Sequence, residues 1–399
     1  MADIAQQAAI NPASARNAAA ARARVPLMAI DPGQWRALAQ RAVEPNGYYL
    51  PAWELAVSAT ARGRNKASAL PAYDSSSRRL IGLMPVISLW RACKIPLPAL
   101  VSAHPYGTLC SPLIDRDAAI EAAARLLQQA RAAGAHALVL NDVALDGAAL
   151  NALRQVLSRD GLKPRVLSSY IRASLDATQA DETLLRDALG AKKLKELRRQ
   201  RHRLEEHGPV AFSVARRPDE IEPALETFLQ LEASGWKGKR GTALVQHAGD
   251  AAFIRRAVPA LAETAQCEII TLRAGTTPVA AGIVLRHQDR AFFFKLGIDE
   301  RFARYSPGVQ LTLELTRHLC ADAAIASADS TAGADHPMIN PIWRGRFAVG
   351  DVLIPLRRND PVVALIHTAL VGLNTAHETA RRVVRRLRDS AKATPPPGR

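Results

Sequence analysis

Residues 268–286 read EIITLRAGTTPVAAGIVLR, residues 291–299 read AFFFKLGID, and residues 300–322 read ERFARYSPGVQLTLELTRHLCAD. The first segment predicts an apolar hairpin, the second a buried aromatic strand, and the third a short loop followed by an amphipathic helix. A strand that ends at a Ser-Pro-Gly turn and leads into a helix leaves unpaired main-chain N–H groups where a phosphate can bind. The stretch therefore predicts a strand, loop and helix that together hold an anionic ligand.

The sequence on either side of this stretch predicts two halves with the same order of elements. The first half alternates helices with strands such as RLIGLMPVISLW at 79–90. The second half begins with a basic helix from Asp187 to His207 and closes with a helix running to Trp343 and a hairpin, RFAVGDVLIPLRR, at 346–358. We interpret this order as an internal duplication in an α/β (α+β) protein, in which each half is a mixed sheet flanked by helices.

Composition shifts divide the chain into four predicted segments. Nothing large enough to form a core precedes Pro26, and prolines dominate the extreme C-terminus. The segments are a disordered Ala- and Arg-rich arm at 1–26, a first domain at 27–180, a second domain at 181–360, and a basic helix with a disordered tail at 361–399.

Length and charge allow two cores and favour anionic partners. With 399 residues, of which 48% are hydrophobic, each half is long enough to bury its own core. The formal net charge of +16 suits nucleic acid, a phosphate-bearing cofactor, an anionic membrane face or an acidic polymer.

Cysteine spacing and hydropathy argue against several classes of protein. The cysteines at 93, 110, 267 and 320 form no C-x-x-C pair and have no histidine cluster nearby, so neither a metal site nor a disulfide framework is predicted. The N-terminus lacks the apolar run of a signal peptide, and no run of about 18 apolar residues could span a membrane. We therefore expect a cytoplasmic protein with no membrane span.

Several segments together resemble the GNAT superfamily of N-acyltransferases, in particular the bacterial cellulose and exopolysaccharide biosynthesis (CelD-type) branch. The resemblance runs from residue 27 to residue 358. It rests on KKLKELRRQRHRLEEHG at 192–208, LEASGWKGKRGTAL at 231–244, TPVAAGIVL at 277–285, AFFFKLGID at 291–299, RYSPG at 304–308 and PIWRGRF at 341–347, and in the first half on RAVEPNGYYLPAWELA at 41–56, RLIGLMPV at 79–86 and HPYGTLCSPLID at 104–115.

The resemblance implies two tandem GNAT-like domains, the arrangement also seen in Fem-type peptidoglycan transferases. It implies acetyl-CoA or another acyl-CoA as co-substrate, no metal, and transfer of the acyl group to an amine. One difference from the family pattern limits which residue roles can be transferred to this chain. The best-known members have a Tyr-Lys pair shortly before the Trp of the last helix, whereas this chain has Ile339 and Asn340 there.

Eight residues are candidates for binding the co-substrate. At the turn, the amides of Gly308 and its two successors would face a pyrophosphate with the helix dipole behind them. On the strand, which splays from its neighbour in a GNAT-like fold, main-chain groups would pair with the pantetheine arm and polarise the thioester carbonyl. The alternatives are a plain helix cap and an ordinary core strand with a glycine bulge. The candidates are Leu296, Gly297, Ile298, Tyr305, Ser306, Gly308, Val309 and Gln310.

Acyl transfer to an amine requires a base that removes the proton of the attacking nitrogen. Asp299, Glu300, Asp335 and His336 are the candidates, with Asp329 on the following strand as a further carboxylate. Histidine suits the role by its ordinary pKa. Each of these residues also fits a structural role as a turn residue or a helix cap, so the prediction concerns the group and not one member.

Three further residues are candidates for contacting the acceptor, namely Trp236 and Lys237 on a glycine-flanked loop and Trp343. The basic helix at 192–203 is either a solvated helix packed by its leucines or a docking surface for an anionic partner. Aromatic strands of the RNA-binding type are absent, so nucleic acid is not the expected partner. The C-terminal helix either packs on its own domain or makes peripheral contact with an anionic membrane.

The sequence thus predicts an acyl-CoA-dependent N-acyltransferase, most simply an acetyltransferase, acting on a small-molecule or saccharide amine in polysaccharide or cell-envelope biosynthesis. Two alternatives remain open. One is a Fem-type transferase that uses aminoacyl-tRNA, which the positive charge favours. The other is a non-catalytic accessory protein of a polysaccharide synthase, which the missing Tyr-Lys pair and the basic tail allow.

Overall fold

The computed structural model describes residues 23–62, 67–102 and 106–393, with side chains of the last helix described to Ala376 and at Thr379. The predicted arm lies outside the described residues up to residue 22, as does the predicted tail from residue 394. The helices are α1 Pro32–Gln40, α2 Pro51–Thr60, α3 Leu89–Cys93, α4 Ala119–Ala132, α5 Ala148–Arg159, α6 Asp181–Glu205, α7 Pro218–Ser234, α8 Trp236–Lys239, α9 Ala248–Ala262, α10 Pro307–Cys320 and α11 Pro361–Ala393, with 3-10 turns at Leu27–Ala29, Gly47–Tyr49, Arg116–Ala118, Leu244–Gln246 and Glu300–Tyr305. The strands are β1 Val25–Pro26, β2 Ser68–Tyr73, β3 Leu80–Ser88, β4 Ala99–Ser102, β5 Leu113–Ile114, β6 Ala137–Ala144, β7 Arg165–Asp176, β8 Val210–Ala215, β9 Cys267–Ala274, β10 Thr277–His287, β11 Arg290–Ile298, β12 Ser327–Asp329 and β13 Gly345–Pro355.

These strands form one mixed sheet in the order β1-β2-β3-β4-β6-β13-β7-β12-β11-β10-β9-β8, with β5 paired to β3. Two pairs are parallel, β4 with β6 in the first half and β11 with β12 in the second. Each pair is joined by a crossover that contains a helix, α4 and α10 respectively, as parallel strands require. The predicted α/β class, with mixed sheets flanked by helices, is confirmed.

The last strand of each half lies beside the other half. Strand β7 closes the first half in sequence but pairs with β12, and β13 closes the second half but lies between β6 and β7. Val349 of β13, for example, is opposite Ala144 on one side and Tyr170 on the other. This exchange of strands makes the sheet continuous.

Apolar clusters cover both faces of the sheet. One cluster is shared by the two halves, since α1 and α2 pack there together with α7 and α9 around side chains such as Trp53, Phe253 and Phe292. On the other face, α4 and α5 cover the strands of the first half, and α6 and α10 cover those of the second. The shared cluster places first-half residues directly against β11.

A buried histidine fixes the contact between the halves. His287, at the end of β10, accepts a hydrogen bond from the Asn46 N–H at its Nδ1 (2.8 Å), and its Nε2 lies 2.9 Å from the Ala39 carbonyl oxygen. Burial lowers the pKa of His287 to about 4, so the ring is neutral and Nε2–H donates to Ala39. The segment before Tyr48 is thereby held against the second half.

The structure differs from the sequence-based expectation in three elements. The expected helix running to Trp343 is a series of turns, because Pro337 and Pro341 interrupt it. The expected final hairpin is the single strand β13, because both of its edges are already paired. Within α6, a first helical segment begins at Asp181 and the basic helix follows it after a break at Gly190, whose φ of 70° and ψ of 162° are not helical.

Candidate functional site

Strands β11 and β12 begin side by side and then separate. They pair from Arg290 opposite Ser327 to Phe292 opposite Asp329. Just beyond that point, Thr331 Oγ1 donates to the Phe293 carbonyl oxygen at 2.7 Å. Farther along, a cavity of about 550 Å³ opens between β11 and the chain after β12. Its wall is formed by Tyr106, Thr108, Leu231, Glu232, Gly235, Trp236, Lys237, Phe293, Phe294, Lys295, Leu296, Gly297, Ile298, Ser330, Thr331, Ala332, His336, Met338 and Ile339.

Main-chain groups of β11 face this cavity. The Asp299 N–H donates to the Val279 carbonyl oxygen of β10 at 2.9 Å, and Gly297 is opposite Ala281 of the same strand. Because successive residues of a strand direct their main-chain groups to opposite sides, those of Leu296 and Ile298 point toward the cavity. The Leu296 carbonyl oxygen already accepts a hydrogen bond from Lys237 Nζ at 2.9 Å.

Gly297 allows helix α7 to lie directly on β11. A Cβ atom at this position would be 2.8 Å from the main-chain nitrogen of Glu232, closer than real Cβ contacts occur. This close approach brings Glu232 of α7, and Trp236 and Lys237 of the following α8, to the cavity wall. The role of Gly297 is therefore a tight helix–strand contact, while the bulge of this hairpin lies at Ile283 and Val284.

A buried carboxylate on the cavity wall joins two lysines. Glu232 Oε1 accepts hydrogen bonds from Lys295 Nζ at 3.0 Å and Lys237 Nζ at 3.4 Å, and Oε2 accepts one from the Leu244 N–H at 2.9 Å. Burial, together with the charge of Lys295, holds the pKa of Lys237 below its ordinary value. The group carries one net positive charge, which attracts an anionic or carbonyl oxygen.

Sequence reasoning predicted Lys237 but missed Glu232 and Lys295. Two signals were available. Glu232 directly follows Leu231 on the helix face that also buries Phe228, and Lys295 interrupts the apolar strand AFFFKLGI. A charged residue in a buried element is expected to have a partner.

The structure separates the four predicted bases, since only His336 lines the cavity. Its Nδ1 accepts a hydrogen bond from the Met338 N–H at 3.4 Å. Burial and the nearby Lys237 ammonium lower the pKa of His336 below its ordinary 6.5, so the ring is neutral at pH 7. Asp335 is exposed in the turn before it, with a φ of 52°.

The two carboxylates at the end of β11 already have cationic partners. Asp299 caps the following 3-10 turn and forms an ion pair with Arg301 at 2.7 Å, which lowers its pKa. Glu300 forms an ion pair with Lys239 at 2.5 Å, which likewise lowers its pKa. A carboxylate whose charged form is stabilised in this way is a weaker base.

The predicted phosphate turn lies where α10 begins. Of the three amides expected there, that of Gln310 donates to the Ser306 carbonyl oxygen at 3.0 Å. Those of Gly308 and Val309 have no hydrogen bond to any residue that the structure describes. A Cβ atom on Gly308 would lie 3.1 Å from Leu296 Cδ2 and 3.3 Å from Met338 Sδ, so this turn adjoins the cavity wall.

The remaining predicted residues divide between the cavity and the core. Trp236 is 48% exposed and lines the cavity together with Lys237. Tyr305 is buried and bonded through its hydroxyl to His207 Nε2 at 3.1 Å. Trp343 is fully buried, with its Nε1–H donating to Thr316 Oγ1 at 2.9 Å, and is not part of the cavity wall.

A polar cluster lies beside the cavity, at the point where β11 and β12 begin to separate. Arg172 of β7 forms a buried ion pair with Asp329 and donates to the Thr108 carbonyl oxygen at 2.6 Å. Asp329 in turn accepts from the Thr331 N–H at 2.8 Å. The hydroxyl of Tyr48 lies beside those of Thr108 and Thr331. Three members of this cluster, Tyr48, Thr108 and Arg172, come from the first half.

Other features of the described residues bear on binding. They contain no group of three His, Cys, Asp or Glu side chains placed to hold a metal ion. No helix within the described ranges is both long and apolar enough to cross a membrane. On α6, Lys192, Lys193, Lys195, Arg198, Arg199 and Arg203 are exposed.

Solved structures of low sequence identity share this fold. FemX superposes with a TM-score of 0.56 at 12% identity, covering 85% of this chain and 98% of FemX. A C-terminal domain (DUF2156) from Agrobacterium fabrum, assigned to a lysylphosphatidylglycerol synthetase, gives 0.51 at 14% identity, covering 85% of this chain and 95% of that domain. L-PGS from Bacillus licheniformis gives 0.51 at 13% identity, covering 86% of this chain and 97% of that chain.

These likenesses concern the fold alone, because the sequences have diverged so far. No curated protein matches the chain in sequence. A family model does match the part of the chain that contains α7, β11, α10 and most of the cavity wall. Residues 191–336 match the acetyltransferase (GNAT) domain family.

Proposed function

We propose that this protein is an acyl-CoA-dependent N-acyltransferase whose donor enters the cavity between β11 and β12. The observation that carries the proposal is the separation of these parallel strands around a cavity of about 550 Å³. Main-chain groups of Leu296 and Ile298 point into that space, where they can pair with an extended amide-bearing arm. A main-chain N–H there can also stabilise the negative charge that develops on a thioester oxygen.

The turn at the start of α10 supports a phosphate-bearing donor. The N–H groups of Gly308 and Val309 are the two that the helix leaves unused, and the helix dipole favours an anion beside them. A Cβ atom on Gly308 would touch Leu296 and Met338 of the cavity wall, so the turn is close enough to the strand for one extended ligand to contact both.

We assign the base to His336. In the reaction, the amine nitrogen attacks the thioester carbonyl carbon, the carbon–sulfur bond breaks, and the thiolate leaves as the amide forms. The attacking nitrogen must lose a proton. The lone-pair nitrogen of the neutral His336 ring, Nδ1, accepts it directly or through one water, and in doing so gives up the long 3.4 Å hydrogen bond from the Met338 N–H. Asp299 and Glu300 are less suited, since each is held by a cation.

The acceptor in this proposal is an amine on a small molecule or saccharide, with an indole wall and an ammonium provided by Trp236 and Lys237. The positive charge of the Lys237–Glu232–Lys295 group would exclude a second cation from the wall, so the amine is expected to bind in its neutral form. A role in polysaccharide or cell-envelope biosynthesis rests on the sequence resemblance.

A second candidate function is a Fem-type transfer from aminoacyl-tRNA, favoured by the fold shared with FemX and by the exposed basic face of α6. A non-catalytic accessory role is the third. The three differ in ligand, since the first binds free CoA, the second binds tRNA with a steep dependence on salt, and the third binds neither.

Isothermal titration calorimetry with acetyl-CoA, butyryl-CoA, free CoA and bulk tRNA tests the proposal. We expect the CoA compounds to bind and Gly308→Glu to abolish that binding, since the new side chain would press on Leu296 and Met338 of the cavity wall and add a negative charge beside the turn. Gly372→Glu is the matched control, because it adds the same side chain on an exposed helix face with nothing within 4 Å of its Cβ. Unchanged far-UV circular dichroism checks the fold of both. Absence of binding by every CoA compound at millimolar concentration would contradict the proposal.

A further inference from the structure

Lys237 is an amine on the cavity wall that the proposed reaction does not use. Its side chain is 21% exposed, and its Nζ donates to the Leu296 carbonyl oxygen at 2.9 Å. Leu296 belongs to the part of β11 whose main-chain groups point toward the cavity and would pair with the arm of an acyl-CoA. A potential nucleophile is therefore held beside the place where a thioester would be bound.

The hydrogen bonds of Lys237 leave a neutral amine free to react. Its Nζ donates to the Leu296 carbonyl oxygen and, at 3.4 Å, to Glu232 Oε1. A neutral amine has two N–H groups and one lone pair, so these two acceptors can take both N–H groups while the lone pair stays unused. The carbonyl oxygen of Leu296 accepts two hydrogen bonds, so an amide N–H of a bound donor can share it with the amine. Donor binding and attack by Lys237 are thus compatible.

The surroundings of Lys237 favour its neutral form. Three ionisable side chains lie around it, namely Glu232 from α7, Lys295 from β11 and His336 from the turns after β12. Burial and the charge of Lys295 lower the pKa of Lys237, and they outweigh the opposing effect of Glu232. Lysines that act as nucleophiles in proteins are activated in this way, by burial or by a neighbouring cation.

We propose that Lys237 is a self-acylation site, which takes the acyl group from a bound thioester when no acceptor amine is present. This inference rests on the proposed function, because it assumes that an acyl thioester occupies the cavity. The Nζ lone pair attacks the thioester carbonyl carbon, the amide bond forms and the carbon–sulfur bond breaks. The departing thiolate takes up the proton that the nitrogen loses, so the products are an Nε-acyl-lysine and free CoA. Because an amide is stable in water, the product is a lasting modification and not an intermediate of transfer to the acceptor.

Self-acylation would change the cavity wall. The positive charge of Lys237 would be lost, which leaves Lys295 to balance the buried carboxylate of Glu232. The added acyl group would also take up space in the cavity beside Leu296. A protein modified at Lys237 is therefore expected to bind a further acyl-CoA more weakly, so the reaction would limit turnover when the acceptor is scarce.

Incubation with acetyl-CoA, followed by peptide mass spectrometry, tests the inference. Cleavage after glutamate keeps Lys237 and Lys239 in one peptide, and fragmentation of that peptide distinguishes them. We expect Lys237 to be acetylated at least about tenfold faster than Lys239 or Lys192, although both of these are exposed, because it reacts within the bound complex. Excess free CoA should suppress the reaction at Lys237. Acetyl phosphate, which the cavity does not hold as a thioester, should modify the exposed lysines instead.

Two variants locate the reaction further. Lys237→Arg keeps the positive charge but cannot act as a nucleophile, so the intact protein should no longer gain an acetyl group in a reaction that free CoA suppresses. Lys239→Arg is the matched control, because it makes the same change two positions away on a side chain outside the cavity wall, and it should leave the reaction at Lys237 unchanged.

Three results would each overturn the inference. They are an unmodified Lys237 in protein that binds acetyl-CoA by calorimetry, acetylation of Lys237 no faster than that of Lys192, and a CoA-sensitive gain of one acetyl group that persists in Lys237→Arg. The peptide spectra of the natural protein locate the group independently of either variant. Failure of acetyl-CoA and free CoA to bind at all would instead refute the proposed function on which the inference rests.

Discussion

Replacing Glu232 with Gln tests how the cavity wall is held together. Glu232 is 2% exposed and accepts hydrogen bonds from Lys295 at 3.0 Å, Lys237 at 3.4 Å and the Leu244 N–H at 2.9 Å. The side chains of the two lysines are only 19% and 21% exposed. Gln keeps an acceptor for Leu244 but removes the charge, so two largely buried ammonium groups lose their counter-ion.

The expected cost follows from these distances. At an effective dielectric constant of about 20, each ammonium–carboxylate contact is attractive by about 5 kcal/mol. Much of this is offset by the cost of burying the carboxylate, and removing one member of a buried ion pair destabilises proteins by about 3–5 kcal/mol. We expect Glu232→Gln to lower the free energy of unfolding by about 3 kcal/mol, at the lower end of this range, because the amide oxygen retains hydrogen bonds.

Urea denaturation at pH 7 measures this loss, with Glu226→Gln as the matched control. Glu226 lies on the same helix and pairs with Arg255 at 2.6 Å, but both side chains are about half exposed. Its replacement should cost no more than about 1 kcal/mol. If both variants lose the same free energy of unfolding, the argument that the network is buried and coupled is wrong.

The dependence on pH provides a second measurement. The folded-state pKa of Lys237 lies below its ordinary 10.5, so between these two values the unfolded chain binds more protons. Stability therefore rises as the pH increases toward 10.5. The rise should be steeper in Glu232→Gln, because the carboxylate that favours the protonated lysine is gone. An identical slope in both proteins would contradict this account.

Three further predictions concern the same cavity. His336→Gln should lower kcat by about 10²–10⁴ and remove the acid limb of the pH–rate profile. That limb lies below pH 6.5, because neutral imidazole is lost as the pH falls through the lowered pKa of His336. An unchanged profile would rule out this base. Asp329→Asn should lower the free energy of unfolding, measured by urea denaturation, by about 3–5 kcal/mol, since it leaves the Arg172 guanidinium buried without a counter-ion. A loss of less than about 1 kcal/mol would mean that water reaches the ion pair. Gly297→Ala should lower the free energy of unfolding by about 1–3 kcal/mol and weaken donor binding, because its Cβ would press on the main chain of α7. Gly333→Ala should leave the free energy of unfolding unchanged, because nothing lies within 4 Å of its Cβ. Equal effects of the two substitutions would refute the close packing.

Local sequence patterns predicted the second half well where each element is continuous in the chain. The apolar run at 268–286 forms the hairpin β9–β10, in which Gly275 adopts the φ of 57° that the turn requires. The strand β11 and the helix α10 follow from the aromatic run and from Pro307 at the first helical position. These features depend on neighbours within a few residues, which a sequence displays directly.

Such local patterns could not predict contacts between residues that are far apart in the sequence. The Gly350–Asp351 segment is a reasonable hairpin turn by composition, yet it continues as one strand because β6 and β7 occupy both of its edges. The same limit applies at the site. Glu300 is an attractive base in sequence, but Lys239, 61 positions away, forms an ion pair with it in the fold.

The exchange of strands explains why the first half takes part in a site whose family pattern lies in the second. Strand β12 has β11 on one side and β7 on the other, so the point at which β11 and β12 separate is set partly by a first-half strand. Arg172 on β7 anchors Asp329 at the last paired position and at the same time holds Thr108 beside the cavity. A change in the first half that moved β7 would therefore alter both the separation of β11 from β12 and the position of Thr108 on the cavity wall.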